Sequence, residues 1–336
     1  MAALYLTHDN GILGKKGEAL SFRRSRAEKA ETIPPAVIDQ VMVLGRGSVT
    51  TPALHLLMEN DVPVHFIDGK GRYKGSLTSG RGRGYAAKRL QFEAAASEER
   101  TLAIARSVVS GKLLSQHKTL LRFRNRRLPG DEAMSQACRE LTSAMGYCRR
   151  YEDIDAIRGL EGAGAAAYFS VFGRALPPPW SFVSRTRRPP RDPVNALLSF
   201  GYTMLLSNVV GAACIAGLDP CVGFLHPEYR GRPALALDLM EEFRSPVVDR
   251  LVASILNQRL LKPNQFDQTP DGGVLMDGTA RKVFLRNFVK RLDVKATDEI
   301  TGRTTTFREH ILFQARAFLN ALRNDEEYRP LSVAMR

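Results

Sequence analysis

Four residues of this chain have side chains able to hold a divalent cation or move a proton: Glu161, His226, Asp238 and Glu241. Glu161 stands in RGLEGAGAAAYF (158–169), one acid among three glycines and four alanines. His226 ends the apolar run of GFLHPEYRGRP (223–233), just before Pro227. Asp238 and Glu241 follow in ALALDLMEEFR (234–244), three residues apart and so on one face of a helix. Each has a plainer role as well. Glu161 is an acid favoured near a helix N-terminus, and His226 is a structural histidine at a turn. Asp238 and Glu241 form an Asp version of a capping box, while Glu242 and Asp249 are solvated or paired with arginines. Taken together, the carboxylates and the imidazole make a hard, mixed O/N donor set. Such a set suits Mg²⁺ or Mn²⁺ better than structural zinc. An ion of that kind activates a hydroxyl and neutralises charge on phosphoryl oxygens when a phosphodiester is cut or exchanged.

The elements that must position these residues divide by texture. The first 84 residues read as strand-rich, with ALYLT, VMVLG (41–45), VPVHFI (62–67) and a run around Tyr73 to Leu77. HDNG and DGKG (68–71) read as turns, and Thr51-Pro52 as an N-cap and first helical residue ahead of ALHLLMEN. The tract SGRGRG (79–84) opens a linker. Residues 85–336 read as helical, with breaks at LPGD (128–131), at PPPW through RTRRPPRDP (177–193), at GLDP (217–220) and at TPDGG (269–273). The stretch 184–193 is expected to be an exposed, basic connection. Gly162-Ala-Gly164-Ala-Ala-Ala167 spells G-x-G-x-x-A, but the charged YEDIDAIRG before it is no strand, so a dinucleotide turn is not supported. The glycines and alanines read instead as a helix with close packing, Tyr168, Phe169 and Phe172 nearby, and Glu161 on an early turn. The fold class expected is α+β, a β-rich N-terminal domain (1–84) followed by a larger α-helical domain (85–336).

Charge points to a polyanion. Among 336 residues, 49 Lys and Arg stand against 35 Asp and Glu, a net charge of +14. The excess is gathered in blocks: Lys70, Arg72, Lys74, Arg81, Arg83, Lys88 and Arg89; then Arg174, Arg185, Arg187, Arg188 and Arg191; then Arg281, Lys282, Arg286, Lys290 and Arg291. Arg185, Arg187, Arg188 and Arg244 are the candidate DNA-backbone contacts. Acids inside a DNA-binding protein make sense when a cation sits between them. The four cysteines form no C-x-x-C pair, which argues against zinc and for a reducing compartment. MAALYLTHDN lacks the features of a signal peptide, so a cytoplasmic location is expected. Val194 to Leu218 carries no charge and is long enough to span a bilayer, yet its polar residues, glycines and flanking Asp-Pro pairs favour a buried helix or two.

Family-level patterns appear in the same segments. GLEGAGAAAYF, DPVNALLSFGYTML, AGLDPCVGFLHPEYRGRPALALDLMEEFR with VVDRLV, and REHILFQARAFLNALRNDEEYRPL occur in this order. LGRGSVTTPALHLLMENDVPVHFIDGKGRYKG precedes them. In these motifs the chain resembles the CRISPR-associated adaptation integrase family, the first of the Cas proteins, over essentially its whole length. The resemblance implies an N-terminal β-sandwich-like domain and an all-α C-terminal catalytic domain with one Mg²⁺ or Mn²⁺ site. By motif, its ligands are Glu161, His226 and Glu241, with Asp238 as supporting acid or alternative ligand; several members have Asp where this chain has Glu241. The implied reaction is transesterification, in which a 3′-hydroxyl of captured spacer DNA attacks a phosphodiester at a CRISPR repeat border. The resemblance also implies nicking of branched DNA at the same site. No G-x-x-x-x-G-K-[ST] is present, and an exchange of phosphodiesters needs none. Double-stranded DNA, a homodimer built through the β domain and a small ferredoxin-like partner protein are the implied associates. Two rival classes are a non-catalytic DNA-binding or scaffolding member and a nucleotide-dependent oxidoreductase.

Overall fold

A computed structural model describes residues 3–6, 11–23, 30–68, 73–79, 84–227, 229 and 231–334. They divide into two compact units, one ending at Tyr85 and the other beginning at Ala86. In the first unit, β1 (Ala3–Leu6), β5 (Gln40–Leu44), β7 (Val64–Ile67) and β8 (Tyr73–Leu77) form one sheet in that order. The first three run parallel and β8 is antiparallel to β7. A second sheet has the order β4 (Glu31–Ile33), β3 (Ala19–Arg23), β2 (Ile12–Lys16), β6 (Ser48–Val49). Helix α1 (Thr51–Glu59) joins β6 to β7. Leu6, Leu13, Leu20, Val41, Val43, Leu56, Leu57 and Val64 share one buried cluster, so both sheets and α1 close over the same core. All five residues of β5 are buried, as a parallel strand covered on both faces requires.

The sandwich-like start is therefore present. Strands β2, β3, β4 and β6 add to those expected; they are short and carry Lys15, Lys16 and Arg23, which weaken the apolar signal. The cap of α1 falls one residue earlier than expected. Thr50 holds the extended backbone at that position, Thr51 is already helical, and no side chain closes the cap. The turns at HDNG and DGKG, the SGRGRG tract, and Lys70, Arg72, Arg81 and Arg83 lie wholly or mostly outside the described residues.

The second unit holds α2 (Tyr85–Ala95), α3 (Glu98–Arg127), α4 (Glu132–Cys148), α5 (Ile154–Phe172), α6 (Pro193–Ile215) and α7 (Ala234–Phe243). A π-helical segment, Arg244–Asp249, links α7 to α8 (Arg250–Asn257). Helices α9 (Gly278–Leu292) and α10 (Phe307–Asn324) follow. Two hairpins, β9 (Phe266–Gln268) with β10 (Val274–Met276) and β11 (Lys295–Thr297) with β12 (Thr304–Thr306), interrupt the helical texture. Thr269 to Gly273 form the turn of the first hairpin.

Helix α3 is the axis of this unit and packs against α4, α5 and α7. Ser97 caps it, Glu98 and Glu99 lie in its first turn, and Arg124, Arg126 and Arg127 lie in its last, an arrangement that complements the helix dipole. The uncharged run expected to be buried is a single helix, α6, capped by the Asp192 side chain. It is the one described helix long and apolar enough to cross a membrane, but 67% of that apolar window is buried inside the protein. Gly201 lets α6 approach its neighbours: a Cβ there would lie 2.5 Å from Val248 Cγ1 and 2.9 Å from the Phe284 ring.

Candidate active site

Asp238 organises the site. Helix α7 begins at Ala234 after Pro233, so Asp238 is an interior residue and the capping box does not form. Its carboxylate, 1% exposed, instead binds the loop before the helix. Oδ2 accepts the amides of Phe224 at 2.7 Å and Leu225 at 3.1 Å; Oδ1 accepts the amide of His226 at 3.0 Å. His226 Nδ1 lies 2.7 Å from the same Oδ1. A carboxylate already accepting three amides is an acceptor here too, which puts the imidazole proton on Nδ1 and leaves the Nε2 lone pair free.

That Nε2 lies 3.7 Å from Oε1 of Glu241, one turn further along α7 and 2% exposed. Glu161 reaches the same place from α5. Asp153 caps α5 and the helix starts at Ile154, so Glu161 lies about two turns in, past the first turn where the helix dipole most favours an acid. Arg158, one turn before it, donates to Leu225 O at 2.9 Å and ties α5 to the His226 loop. Between the glutamates sits the Lys112 ammonium, from α3. It is ion-paired to Glu161 and lies 2.8 Å from Glu241 Oε2. Arg244 Nε stands 3.0 Å from Glu241 Oε1, with its guanidinium 4.8 Å from the Tyr202 ring centre.

Burial disfavours the charged form of Glu241, yet Arg244, Lys112 and, whenever its ring is protonated, His226 outweigh it and hold the carboxyl down to about 2. Neither Glu241 Oε2 nor Arg244 Nε has a well-directed hydrogen bond, so these are ion pairs with poor angular fit. The cluster holds three carboxylates and two fixed cations: Glu161 and Glu241 meet Lys112, Glu241 also meets Arg244, and Asp238 is taken up by the His226 loop. The excess of negative charge, the free Nε2 and the convergence of two glutamates on one positive charge fit a hard divalent cation. In the arrangement seen, Lys112 supplies that charge, and among the described residues no three His, Cys, Asp or Glu side chains close around a common point.

Behind the pocket lies a second buried network. Asp249, 1% exposed, accepts from Tyr202 at 2.6 Å. Burial lifts its carboxyl to about 6 against the pull of Tyr202, Tyr168, Arg185 and Arg244. Tyr168 faces Asp249 without a well-aligned bond. Asp249 and Glu242 are thus not solvated acids. Glu242 is 3% exposed, accepts from Tyr328 at 2.9 Å and takes the Leu331 amide, and burial lifts its carboxyl to about 8. Two of the four candidate DNA contacts turn inward. Arg185 donates to Asn195 and Ser199, at 2.6 and 3.0 Å, and Arg244 serves Glu241. Arg187 and Arg188 are exposed. Lys112 was not expected from sequence, although a single charge within VVSGKLLS, among small and apolar residues, marks a position needing a partner. Gly162 and Gly164 lie inside α5, not at a strand-to-helix turn, which removes the dinucleotide reading.

Fold and site together define the class: a strand-rich unit and a helical unit in which three helices and one loop converge acids, an imidazole and a lysine. The family model described as CRISPR associated protein Cas1 matches residues 4–290. This chain belongs to the Cas1 family. Its curated relative "CRISPR-associated endonuclease Cas1 3" of Thermus thermophilus is 34% identical over 335 residues, 99% of this chain and 98% of the relative. A solved Cas6-RT-Cas1–Cas2 complex matches with a TM-score of 0.85 at 28% identity, over 98% of this chain and 36% of that one. A casposase bound to integration product shares the fold, with a TM-score of 0.85 at 23% identity over 99% of this chain and 93% of that one.

Proposed function

We propose that this chain is a divalent-metal-dependent DNA integrase and endonuclease of CRISPR adaptation. The observation that carries the reading is the meeting of Glu161 and Glu241 on the buried Lys112 ammonium, with His226 Nε2 3.7 Å from Glu241 Oε1 and Asp238 fixing the imidazole. Glu161, His226 and Glu241 would hold Mg²⁺ or Mn²⁺. The ion supplies the activation of a 3′-hydroxyl and the neutralisation of phosphoryl charge. Asp238 keeps Nε2 turned into the pocket, and Arg244 keeps Glu241 ionised. In the exchange, the spacer 3′-oxygen bonds to phosphorus while the repeat's own 3′-oxygen leaves and takes up the proton given by the attacking hydroxyl. Bond count is conserved, so no nucleotide hydrolysis is needed.

The net charge of +14 supports duplex DNA as the substrate. The likeness to a complex named for Cas1 and Cas2 supports assembly with a partner protein. A homodimer around a small ferredoxin-like partner, with the strand-rich unit at the contacts, is what the motif resemblance implies. A DNA substrate of this kind is consistent with a cytoplasmic reaction. The test is strand transfer of a 3′-OH duplex into a repeat-bearing plasmid, with and without EDTA and with Glu161→Ala and His226→Ala. Joining should vanish in all three cases while DNA binding persists. Joining by both variants would remove the metal-site assignment. Failure of the wild type with either ion at every salt concentration would leave a DNA-binding scaffold.

A further inference from the structure

A small cleft in the helical unit is lined by Lys118, Thr119 and Arg122 of α3, by Pro246 and Arg250, and by residues 331–334. Lys118 and Arg122 are four apart on α3, and Arg126 continues the same face one turn on. Arg291 of α9 donates to the carbonyl of Pro246 at 3.1 Å and lies 4.8 Å from the Phe307 ring centre, against the same wall. Five cations from three helices therefore gather here. Among the described residues only Lys118 meets a carboxylate, that of Glu299. Arg122, Arg126 and Arg250 have neither an ion pair nor a hydrogen-bond acceptor among those residues, and the acceptor of Arg291 is an uncharged carbonyl.

Such a cluster is costly by itself. Like charges one turn apart on a helix repel, and an unpaired, partly buried cation loses hydration without recompense. Burial and then the neighbouring arginines Arg291, Arg122 and Arg126 pull Arg250 down to about 9. Burial and Arg122 pull Arg291 down to about 10. An anion in the cleft would add an attraction to each of these cations and so offset their mutual repulsion and lost hydration. The composition of the wall narrows the anion: guanidinium forks suit tetrahedral phosphate oxygens, which they bind two at a time.

We propose that this cleft is a phosphate-backbone site, separate from the acidic pocket, in which Arg122 and Arg250 grip a DNA strand. Its occupant rests on DNA being the substrate, but its position does not. Arg122 lies ten residues beyond Lys112 on the same helix, about 15 Å along its axis at about 1.5 Å per residue. At about 3.4 Å per nucleotide step, that is roughly four steps from the acidic pocket. A strand engaged at the pocket can thus be held a few nucleotides away, which fixes its direction across α3.

The test is fluorescence anisotropy of a branched oligonucleotide duplex in EDTA, where no chemistry occurs, so failure of the metal assignment leaves the result untouched. Arg122→Ala with Arg250→Ala should weaken binding at least tenfold at physiological salt. It should also make the plot of log affinity against log salt shallower by about 1.8, at about 0.9 per neutralised phosphate. The exposed Arg126→Ala, which leaves the buried wall intact, should lower the slope by about 0.9 if its charge also meets a phosphate. Lysines at 122 and 250 should restore the slope but not the full affinity, because they keep charge and lose the fork. Unchanged affinity and slope in the double variant overturn the proposal. So does a double variant that binds DNA normally and loses only a small acidic partner protein, since that result makes the cleft a protein contact.

Discussion

Asp238 and His226 are locked together at both backbone and side chain: one carboxylate oxygen meets the His226 amide at 3.0 Å and its Nδ1 at 2.7 Å. The acid is therefore a positioning residue for the imidazole, and its neighbour Glu241 faces the pocket. Asp238→Asn keeps the shape but brings an NH₂ group against either the amides or Nδ1–H. The imidazole then loses its fixed orientation. Mn²⁺ affinity measured calorimetrically should fall about 10- to 100-fold, the range found when outer partners of ligating histidines are removed. Equal affinity in the variant would leave Asp238 with a purely structural role.

Under the proposed function, Lys112 and a divalent cation would compete for the same two carboxylates, Glu161 and Glu241. Lys112→Met removes a cation 5% exposed and leaves Glu161 and Glu241 facing each other. Without metal the variant should be less stable than wild type by roughly 3–5 kcal/mol, the usual cost of breaking one side of a buried pair. Saturating Mn²⁺ should recover more stability in the variant than in wild type. Thermal melts with EDTA and with Mn²⁺ measure both differences; a variant no more responsive to metal than wild type would contradict shared occupancy.

What can be read from the chain alone is mostly local. Asp192-Pro193 before an uncharged run marks the start of α6, and the β-branched runs at 41–45 and 62–67 correspond to β5 and β7. Short-range signals mislead where long-range contacts decide the outcome. Asp238 and Glu241 have capping-box spacing, but α7 starts earlier because the Asp238 carboxylate is occupied by amides twelve to fourteen residues back. Lys112 belongs to no motif because its partners lie on α5 and α7, far along the sequence. Composition groups Arg185 with exposed arginines, while Asn195, Ser199 and the Tyr202 ring draw it inward. The acids and histidine are legible as types; their division into pocket-facing and supporting groups is set by packing.

The strand-rich unit carries its own acid sensitivity. His65 on β7 is fully buried, and among the described residues neither ring nitrogen has a hydrogen-bond partner. Burial depresses it from 6.5 to about 4. The unfolded chain therefore takes up a proton near pH 6.5 that the folded chain refuses until about pH 4. Stability from this group is complete above pH 6.5 and declines as pH falls through that window, by roughly 3 kcal/mol at most. Urea melts of wild type and His65→Leu at pH 7 and pH 4.5 measure it. The loss on acidification should be smaller in the variant, and parallel losses would show that other groups govern the acid response.

The exposed and inward arginines of the 184–193 segment should behave differently. Arg187→Ala with Arg188→Ala should leave the melting temperature unchanged and reduce the salt slope of DNA binding by about one unit for each phosphate no longer neutralised. Arg185→Ala removes the bonds to Asn195 and Ser199 and the packing on Tyr202. It should lower stability by about 1–3 kcal/mol, the cost of leaving buried acceptors unpaired. A pure salt-slope effect for Arg185→Ala would place that side chain on DNA instead.

The two glycines that resemble a nucleotide turn make opposite predictions once both lie inside α5. A Cβ on Gly162 meets nothing within 4 Å, so Gly162→Ala should gain roughly 0.5–1 kcal/mol from helix propensity alone. A Cβ on Gly164 would come within 2.2 Å of Leu113 Cδ2 and 3.4 Å of Leu141 Cδ2. Leu113 follows Lys112 on α3, so relieving that overlap pushes α5 away from the residue that bridges Glu161 and Glu241. Gly164→Ala should cost about 1–3 kcal/mol, as overpacked cores do, and should also weaken Mn²⁺ binding through the displaced Glu161. Denaturant melts read the first effect and calorimetry the second. If Gly164→Ala lost stability with metal affinity intact, the close packing of α3 and α5 would serve the fold without setting the distance across the pocket.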